Sequence, residues 1–508
     1  MKKALSGLVI SLAIIIAGVL LWLRFGVNEE HVQHILSDTL GHGYEIKLEA
    51  ATAYPVSRAI SLTSLSITDA ESGRVAFEAD TLSISGFCFR TLFGNHLSAS
   101  TFKMDAFTLD WPDETFGSPG IQSLSIDALE ATNGTIIRRE DGEETDRLND
   151  FNLTAALKYD PPSDDDTSAI RDHRVSIDSL GFKSFGDRYQ VDLREFEYLE
   201  QDSTLSVSSL ELTPIGGFDQ FMNSIEYETN MFDVEATGIS ATAIDPSALR
   251  QDGLVQLDQL KLGTFDIHVS QSLKLPKHPD EEDPELLNAM IQNLPYALNI
   301  GLIMIDSADI RFSQLAEDGE RPGTISFMNS SVHMEHINSQ SDEPVIFTAA
   351  TYLENHAELQ TELHFTLNEG PFHMNGNGSL DPFELEELNS IFMDLEGIEI
   401  KSGLAHELEF EFEMVDDQSS GTMHLVYEDL SIESIDKADH ESRYQFPVVG
   451  YLANDLPLRS ENLAENPDDL RTGTIDHERA SEDPFFRYLW HTLRSGIFDI
   501  ALRIDISQ

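Results

Sequence analysis

The sequence predicts a mainly β fold: an elongated, strongly bent antiparallel sheet with a few short helices and one N-terminal transmembrane helix. Three observations carry this. Long runs alternate apolar and polar residues, turn residues separate the runs, and one charge-free apolar stretch opens the chain. Period-2 alternation marks a strand with one greasy and one wet face.

The alternation is clearest between Ile60 and Trp111. Ile60, Leu62, Leu65 and Ile67 form one run, Val75, Phe77, Ala79, Leu82 and Ile84 a second, and Phe102, Met104, Phe107, Leu109 and Trp111 a third. Each run slips phase once, at Thr63-Ser64, between Ala79 and Leu82, and at Ala106-Phe107. A slip sends every later side chain to the other face unless a bulge absorbs it. Asp69 to Gly73 and Gly94-Asn95 supply turns. The predicted motif is therefore a meander of bent strands.

At the N-terminus, Ala4 to Leu23 contains no charge and is 20 residues long, the length a bilayer core requires. Lys2 and Lys3 precede it, so the positive-inside rule places the N-terminus in the cytoplasm. A cleaved signal peptide would need a shorter apolar core and small residues at a cutting site. The run ends Val-Leu-Leu-Trp-Leu-Arg, which favours an uncleaved signal-anchor with the rest of the chain exported. Asn28 to Leu40 reads as a short helix stopped by Gly41. Strands run from Tyr44, with a second meander from Ile121 to Tyr159 and further strand patterns from Arg174 to Val269.

Three Asp-Pro pairs, at Asp283-Pro284, Asp381-Pro382 and Asp483-Pro484, precede helical patterns. Asp as N-cap and Pro at the first helical position is a mechanistic start signal. Late hairpins are the cleanest. Leu408, Phe410, Phe412 and Met414 alternate with Glu407, Glu409, Glu411 and Glu413. The glutamates put one face in water, and the apolar face needs a cover of protein or of something else.

The chain has 508 residues, 32 basic and 90 acidic, for a net charge of −58. Such a surface argues against nucleic acid and against anionic membrane surfaces. Acid spread along the whole chain fits adaptation to high salt. The single cysteine, Cys88, excludes an intramolecular disulfide and reads as a buried small hydrophobe. Pro161 to Thr167 is an acidic loop without the order of a calcium-binding loop. No phosphate-binding glycine loop, nucleophile elbow or zinc-protease helix occurs. His333 and His336 are the nearest histidine pair, but positions i and i+3 of a strand face opposite ways. The reading is of a non-enzyme with no cofactor and no metal ligand.

The order of features resembles the AsmA-like family of bacterial envelope proteins, related to TamB and the bridge-like lipid-transfer proteins. The resemblance rests on the anchor, Thr39-Leu40-Gly41, Ala53-Tyr54-Pro55, the runs Ile60–Asp69 and Gly73–Ile84, Leu92-Phe93-Gly94 and Phe107-Thr108-Leu109-Asp110. Ser123–Asp127, Asn133–Ile136 and Leu148–Leu153 look like a next repeat. Ile400–Gly403, Val426–Leu430, Tyr488–Leu493 and Ser495-Gly496 resemble the family's C-terminal end. The resemblance implies a long bent sheet whose concave side is a groove for lipid. It also implies a role in phospholipid transport between inner and outer membranes or in outer-membrane homeostasis. It brings no catalytic residues. The alternative is a structural or assembly factor for outer-membrane proteins.

The organisation read from the sequence is 1–27, a cytoplasmic stub and anchor; 28–160, an AsmA-like helix and meander; 161–295, a middle β region ending in a helix; and 296–508, a C-terminal β-groove region with helices near 382–396 and 484–502. Expected partners are phospholipid acyl chains, the inner membrane through the N-terminal helix, and an envelope protein at the C-terminal end. The expected location is the inner membrane, with the bulk of the chain periplasmic. Leu62, Leu65, Phe77, Leu82, Phe102, Phe107, Phe365, Phe410 and Phe412 are the candidate groove-lining residues. Phe412→Asp is expected to leave a folded, exported chain that retains little lipid, because an open trough admits water around the charge; a closed core would instead unfold.

Overall fold

The computed structural model describes residues 44–501 apart from 55–57, 71–72, 87–95, 112–122, 141–142, 160–173, 185, 187, 278–282, 318, 436–458, 464–469 and 482. The predicted anchor, the helix at 28–40, Cys88 and the acidic loop at 161–167 lie outside the described residues. Among the described residues, no helix is long and apolar enough to cross a membrane. The chain divides into two compact units, Met1–Leu212 and Thr213–Gln508.

The first unit carries ten strands: β1 (Tyr44–Lys47), β2 (Ala50–Tyr54), β3 (Ala59–Asp69), β4 (Val75–Ser85), β5 (His96–Trp111), β6 (Ser123–Glu140), β7 (Glu143–Tyr159), β8 (Arg174–Ser184), β9 (Tyr189–Leu199) and β10 (Thr204–Pro214). Its described residues hold no helix. β1 and β2 both pair with β3, and pairing then follows chain order. These neighbours are antiparallel except β5 and β6, which run parallel with His96 beside Ser123. This corrects the expectation of a purely antiparallel meander. A parallel neighbour needs a crossover rather than a tight turn, and alternation within a strand carries no information about the direction of its neighbour.

Each predicted phase slip falls where the ladder skips one residue on both strands, with no extra residue on either. Ser64 has φ 51° and Ala106 has φ 48°, and on β4 the exposed pair Asp80-Thr81 separates buried Ala79 from buried Leu82. The register sets these positions side by side, Ser64 across from Asp80 and Asp80 across from Ala106. The line continues into Asn133 on β6, at φ 53°, and Glu195 on β9 has φ 51°. A left-handed non-glycine residue costs about 1–3 kcal/mol. Local hydrogen bonds offset this cost: Thr132 Oγ1 and Asn133 Nδ2 donate to Asp105 Oδ1 at 2.6 and 2.8 Å, and Asn133 N donates to Asn152 Oδ1 at 2.9 Å. At the end of this line the β6–β7 register shifts between Ala131 and Gly134, and such a bulge bends its strand and raises the local twist. The apolar face beneath is one cluster from Ile46 on β1 to Ala155 on β7.

The second unit holds α1 (Gly217–Asn223), β11 (Met231–Thr242), α2 (Pro246–Asp252), β12 (Leu254–Ser272), α3 (Leu287–Gln292), β13 (Ala297–Leu315), β14 (Pro322–Asn338), β15 (Val345–Leu353), β16 (Ala357–Phe365), β17 (His373–Leu380) and β18 (Phe383–Glu384). A helical segment follows, with a 3-10 turn at Leu385–Leu388, α4 (Asn389–Ile391) and a π turn at Phe392–Glu396. The unit then closes with β19 (Ile398–Val415), β20 (Gln418–Ser434), β21 (Thr472–Glu478) and α5 (Phe485–Ala501). β12 and β13 are the parallel pair here, Leu254 beside Ala297, with α3 in the connection. From β13 to β21 neighbouring strands pair antiparallel, as do β11 and β12, and β17 and β18 both pair with β19.

The Asp-Pro signals divide. α5 begins directly after Asp483-Pro484. α3 begins later than its signal, with Leu286 at the N-cap and no side-chain cap. After Asp381-Pro382 the chain first adds β18 and only then turns helical. A fourth pair, Asp245-Pro246, satisfies the signal fully. Asp245 Oδ1 accepts from Ser247 N at 2.8 Å and Ala248 N at 3.1 Å, with Pro246 opening α2. A seven-residue helix between two long strands is too short to show its own periodicity.

Candidate apolar binding face

Directly paired residues share a face, so the register traces one row of side chains across the second unit. Leu260 pairs with Ile303, Ile303 with Met334, Met334 with Phe347, and Phe347 with Leu363. The row goes on through Gly376, Phe412, Gly421 and Ile475. A second row runs Leu262, Ile305, Val332, Ala349, Thr361, Gly378, Phe410 and Met423. This is a continuous, mostly apolar face from β12 to β21.

Its two ends differ. Over β17 to β21 most of the face is sealed, with Phe412 3% exposed, Met414 0%, Met423 1% and Ile475 1%, while Phe410 stays half-buried. α5 forms much of the lid, with Phe485, Tyr488 and Ile500 in the same cluster and Phe485 edge-on to Phe372 at 5.9 Å. Glycines permit the close approach. A Cβ on Gly496 would stand 2.9 Å from Ile475 Cγ1, and one on Gly473 would stand 2.4 Å from Gly496 O. Gly376 is bare because the Phe412 ring lies across it, where a Cβ would stand 2.3 Å from Cζ. Phe410 stacks beside Phe412 at 6.2 Å and 23°.

Over β12 to β15 the same face is half-buried. Leu260, Leu262, Ile267, Ile303, Ile305, Ile310, Phe312, Phe327, Met334 and Phe347 all keep part of their surface in solvent. The helical segment 385–396 reaches β13 and β14 from β19 and is tied down by Asn389, which exchanges two hydrogen bonds with the Ile400 backbone at 2.8 and 2.9 Å. The opposite, hydrophilic face of β14–β20 also encloses a concavity of about 790 Å³, edged by His333, Glu362, Glu409, Glu411 and His424. A twisted sheet is saddle-shaped and hollows both faces along different diagonals. His333 edges that hollow, whereas His336 stands 3.4 Å from Glu343, so the two histidines do not come together.

The nine residues picked from the sequence fall in two places. Leu62, Leu65, Phe77, Leu82, Phe102 and Phe107 are all buried in the first unit's cluster, at 8% exposure or less. Phe365 and Phe412 are buried in the second unit's cluster, and Phe410 packs half-buried against it. Sequence reasoning missed the half-open stretch of β12–β15, although its residues alternate too. The runs Leu260–Leu262, Phe265–Val269 and Ile303–Ile305 carried the signal. Alternation identifies an apolar face and is silent on what lies against it. Among known proteins, no family model matches this chain and no curated sequence does.

Proposed function

We propose that the chain is an AsmA-like, non-enzymatic envelope protein, anchored in the inner membrane by its N-terminal helix, and that the half-open face over β12–β15 holds phospholipid acyl chains in transit between membranes. The carrying observation is that face: branched and aromatic side chains in register over adjacent strands, partly in solvent. Monomeric proteins rarely leave contiguous apolar surface of that kind without a ligand or partner. Hydrocarbon tails ask for no hydrogen bonds and slide along such a face. The polar, acidic opposite face suits an aqueous compartment.

Lipid extraction and mass spectrometry on the purified exported part tests the reading. Phospholipid co-purifying at stoichiometric level and lost in Ile303→Asp supports it. A well-folded wild type free of lipid overturns it. A second reading, an assembly factor that docks another protein, draws on α5, where Phe486 is 77% exposed and Trp490 37%. Loss of a co-purifying envelope protein in Phe486→Ser, with lipid content unchanged, favours that reading.

A further inference from the structure

The second unit gathers three metal-ligating side chains at the foot of α5. His477 stands on β21, Asp483 precedes the helix and His491 lies within it. Their donor atoms all lie within 4.8 Å of one another. His491 Nδ1 is 3.2 Å from Asp483 Oδ2, and the two imidazoles meet edge-on at 5.2 Å. Asp483 is 6% exposed and is held from behind. Its N–H donates to Ala480 O at 2.9 Å, its carbonyl accepts from Arg479 Nε at 2.8 Å, and Arg487 stands 3.6 Å from Oδ1. Oδ2 is thereby turned to the histidines. His477 Nε2 is buried and has no hydrogen-bond partner. Such an orphaned atom in a native fold asks for an explanation, and an ion is one of the few available.

We propose that His477, Asp483 and His491 bind one divalent transition-metal ion of the zinc class, which clamps β21 to α5. Two imidazoles and a carboxylate form a recurrent three-ligand donor set that leaves a position for water. Oxygen-seeking calcium and magnesium do not select two imidazoles. Zinc bond lengths set tetrahedral donors roughly 3.3 Å apart, so the donors close in by side-chain rotation. Arg487, on the outer carboxylate oxygen, takes the orienting role that supports ligating carboxylates. Burial, reinforced by the Arg494 charge, also holds both imidazoles below their ordinary pKa, in the neutral form that ligates. The proposal is independent of whether the apolar face carries lipid.

Cobalt titration of the chelator-stripped full chain, followed by visible absorption, tests it, with zinc added in competition. One equivalent of cobalt giving the intense bands of a low-coordinate nitrogen-oxygen site is expected, displaced by zinc. His477→Gln and His491→Gln each weaken cobalt binding by at least about tenfold, while His333→Gln leaves it unchanged. Zinc also raises the thermal unfolding temperature. Only the weak bands of octahedral cobalt overturn the proposal, and so does binding unchanged in both histidine variants. Either result assigns the ion to other carboxylates of a chain that carries 90 acidic residues. Should a variant fail to fold, the wild-type spectrum alone decides between the two geometries.

Discussion

The apolar face of the second unit is one surface with two fates. Phe412 and Phe347 belong to the same cross-strand row, three pairings apart by register. Phe412 is sealed and Phe347 is partly in solvent. Their chemistry is identical. The difference is the cover: α5 descends onto β20 and β21 because Gly473 and Gly496 let helix and strand backbones meet, and β12–β15 meet short helical pieces, among them the segment 385–396, that leave the face half-buried. A hydrophobic strand face therefore becomes a core or a binding surface according to what a distant part of the chain brings to it.

The largest break in this comparison comes from a charge on each side of it. Phe412→Asp buries a carboxylate in a sealed cluster and is expected to cost several kcal/mol, enough to abolish the folded second unit. Ile303→Asp, in the half-open stretch, is expected to cost about 1–2 kcal/mol, because water reaches the charge. Chemical denaturation of both variants checks this, and equal losses would erase the distinction between the two ends.

The lid is tested next. Gly496→Val pushes α5 off Ile475 and Met423 and is expected to destabilise by about 1–3 kcal/mol. It should also raise proteolytic cleavage near α5 while β12–β15 stay protected in hydrogen exchange. Protection lost evenly over the unit would mean that α5 is not a local cover.

Gly376→Ala sets a methyl group against the Phe412 ring and should cost about 1–2 kcal/mol. Phe412→Leu in the same chain should recover part of that loss, because the two positions touch and couple. Simple additivity in the double-mutant cycle would show that the ring does not lie across the glycine.

The sealed end should also answer to alkali. Burial raises the Tyr488 phenol from 10.0 to about 12. The neutral form is thus favoured in the folded state, so the contribution is intact below the unfolded-state value and is lost as pH rises from 10.0 to about 12. Denaturation midpoints should fall across that window, and Tyr488→Phe should flatten the fall. A variant as alkali-sensitive as the wild type would place the titrating group elsewhere.

The smallest effect belongs to the line of left-handed residues in the first unit. Hydrogen bonds from Thr132, then Asn133, hold the Asp105 carboxyl below the usual carboxylate range. Its contribution is present above the unfolded-state pKa and lost as pH falls through the folded-state value. Because Asp105 is exposed, Asp105→Ala should cost only a few tenths of a kcal/mol up to about 1 kcal/mol, and the urea midpoint at neutral pH measures it.

The sequence by itself determined the strands, their wet and greasy faces and even their bends. Side-chain period in a strand is a local property, and a slip such as Ala79 to Leu82 or Ala106-Phe107 must be absorbed where it occurs. It also determined the buried set Leu62, Leu65, Phe102 and Phe107, since an unbroken apolar face is buried by something. Only the tertiary structure decided that β5–β6 and β12–β13 are parallel, because direction depends on the crossover and not on the residues that pair. Only it decided that Phe412 is sealed while Ile303 and Phe347 stay half-open, because that turns on where α5 lands. The same holds for His477, Asp483 and His491, which meet because a strand, a turn and a helix converge. No spacing along one element announces such a meeting, since proximity between elements is a property of packing.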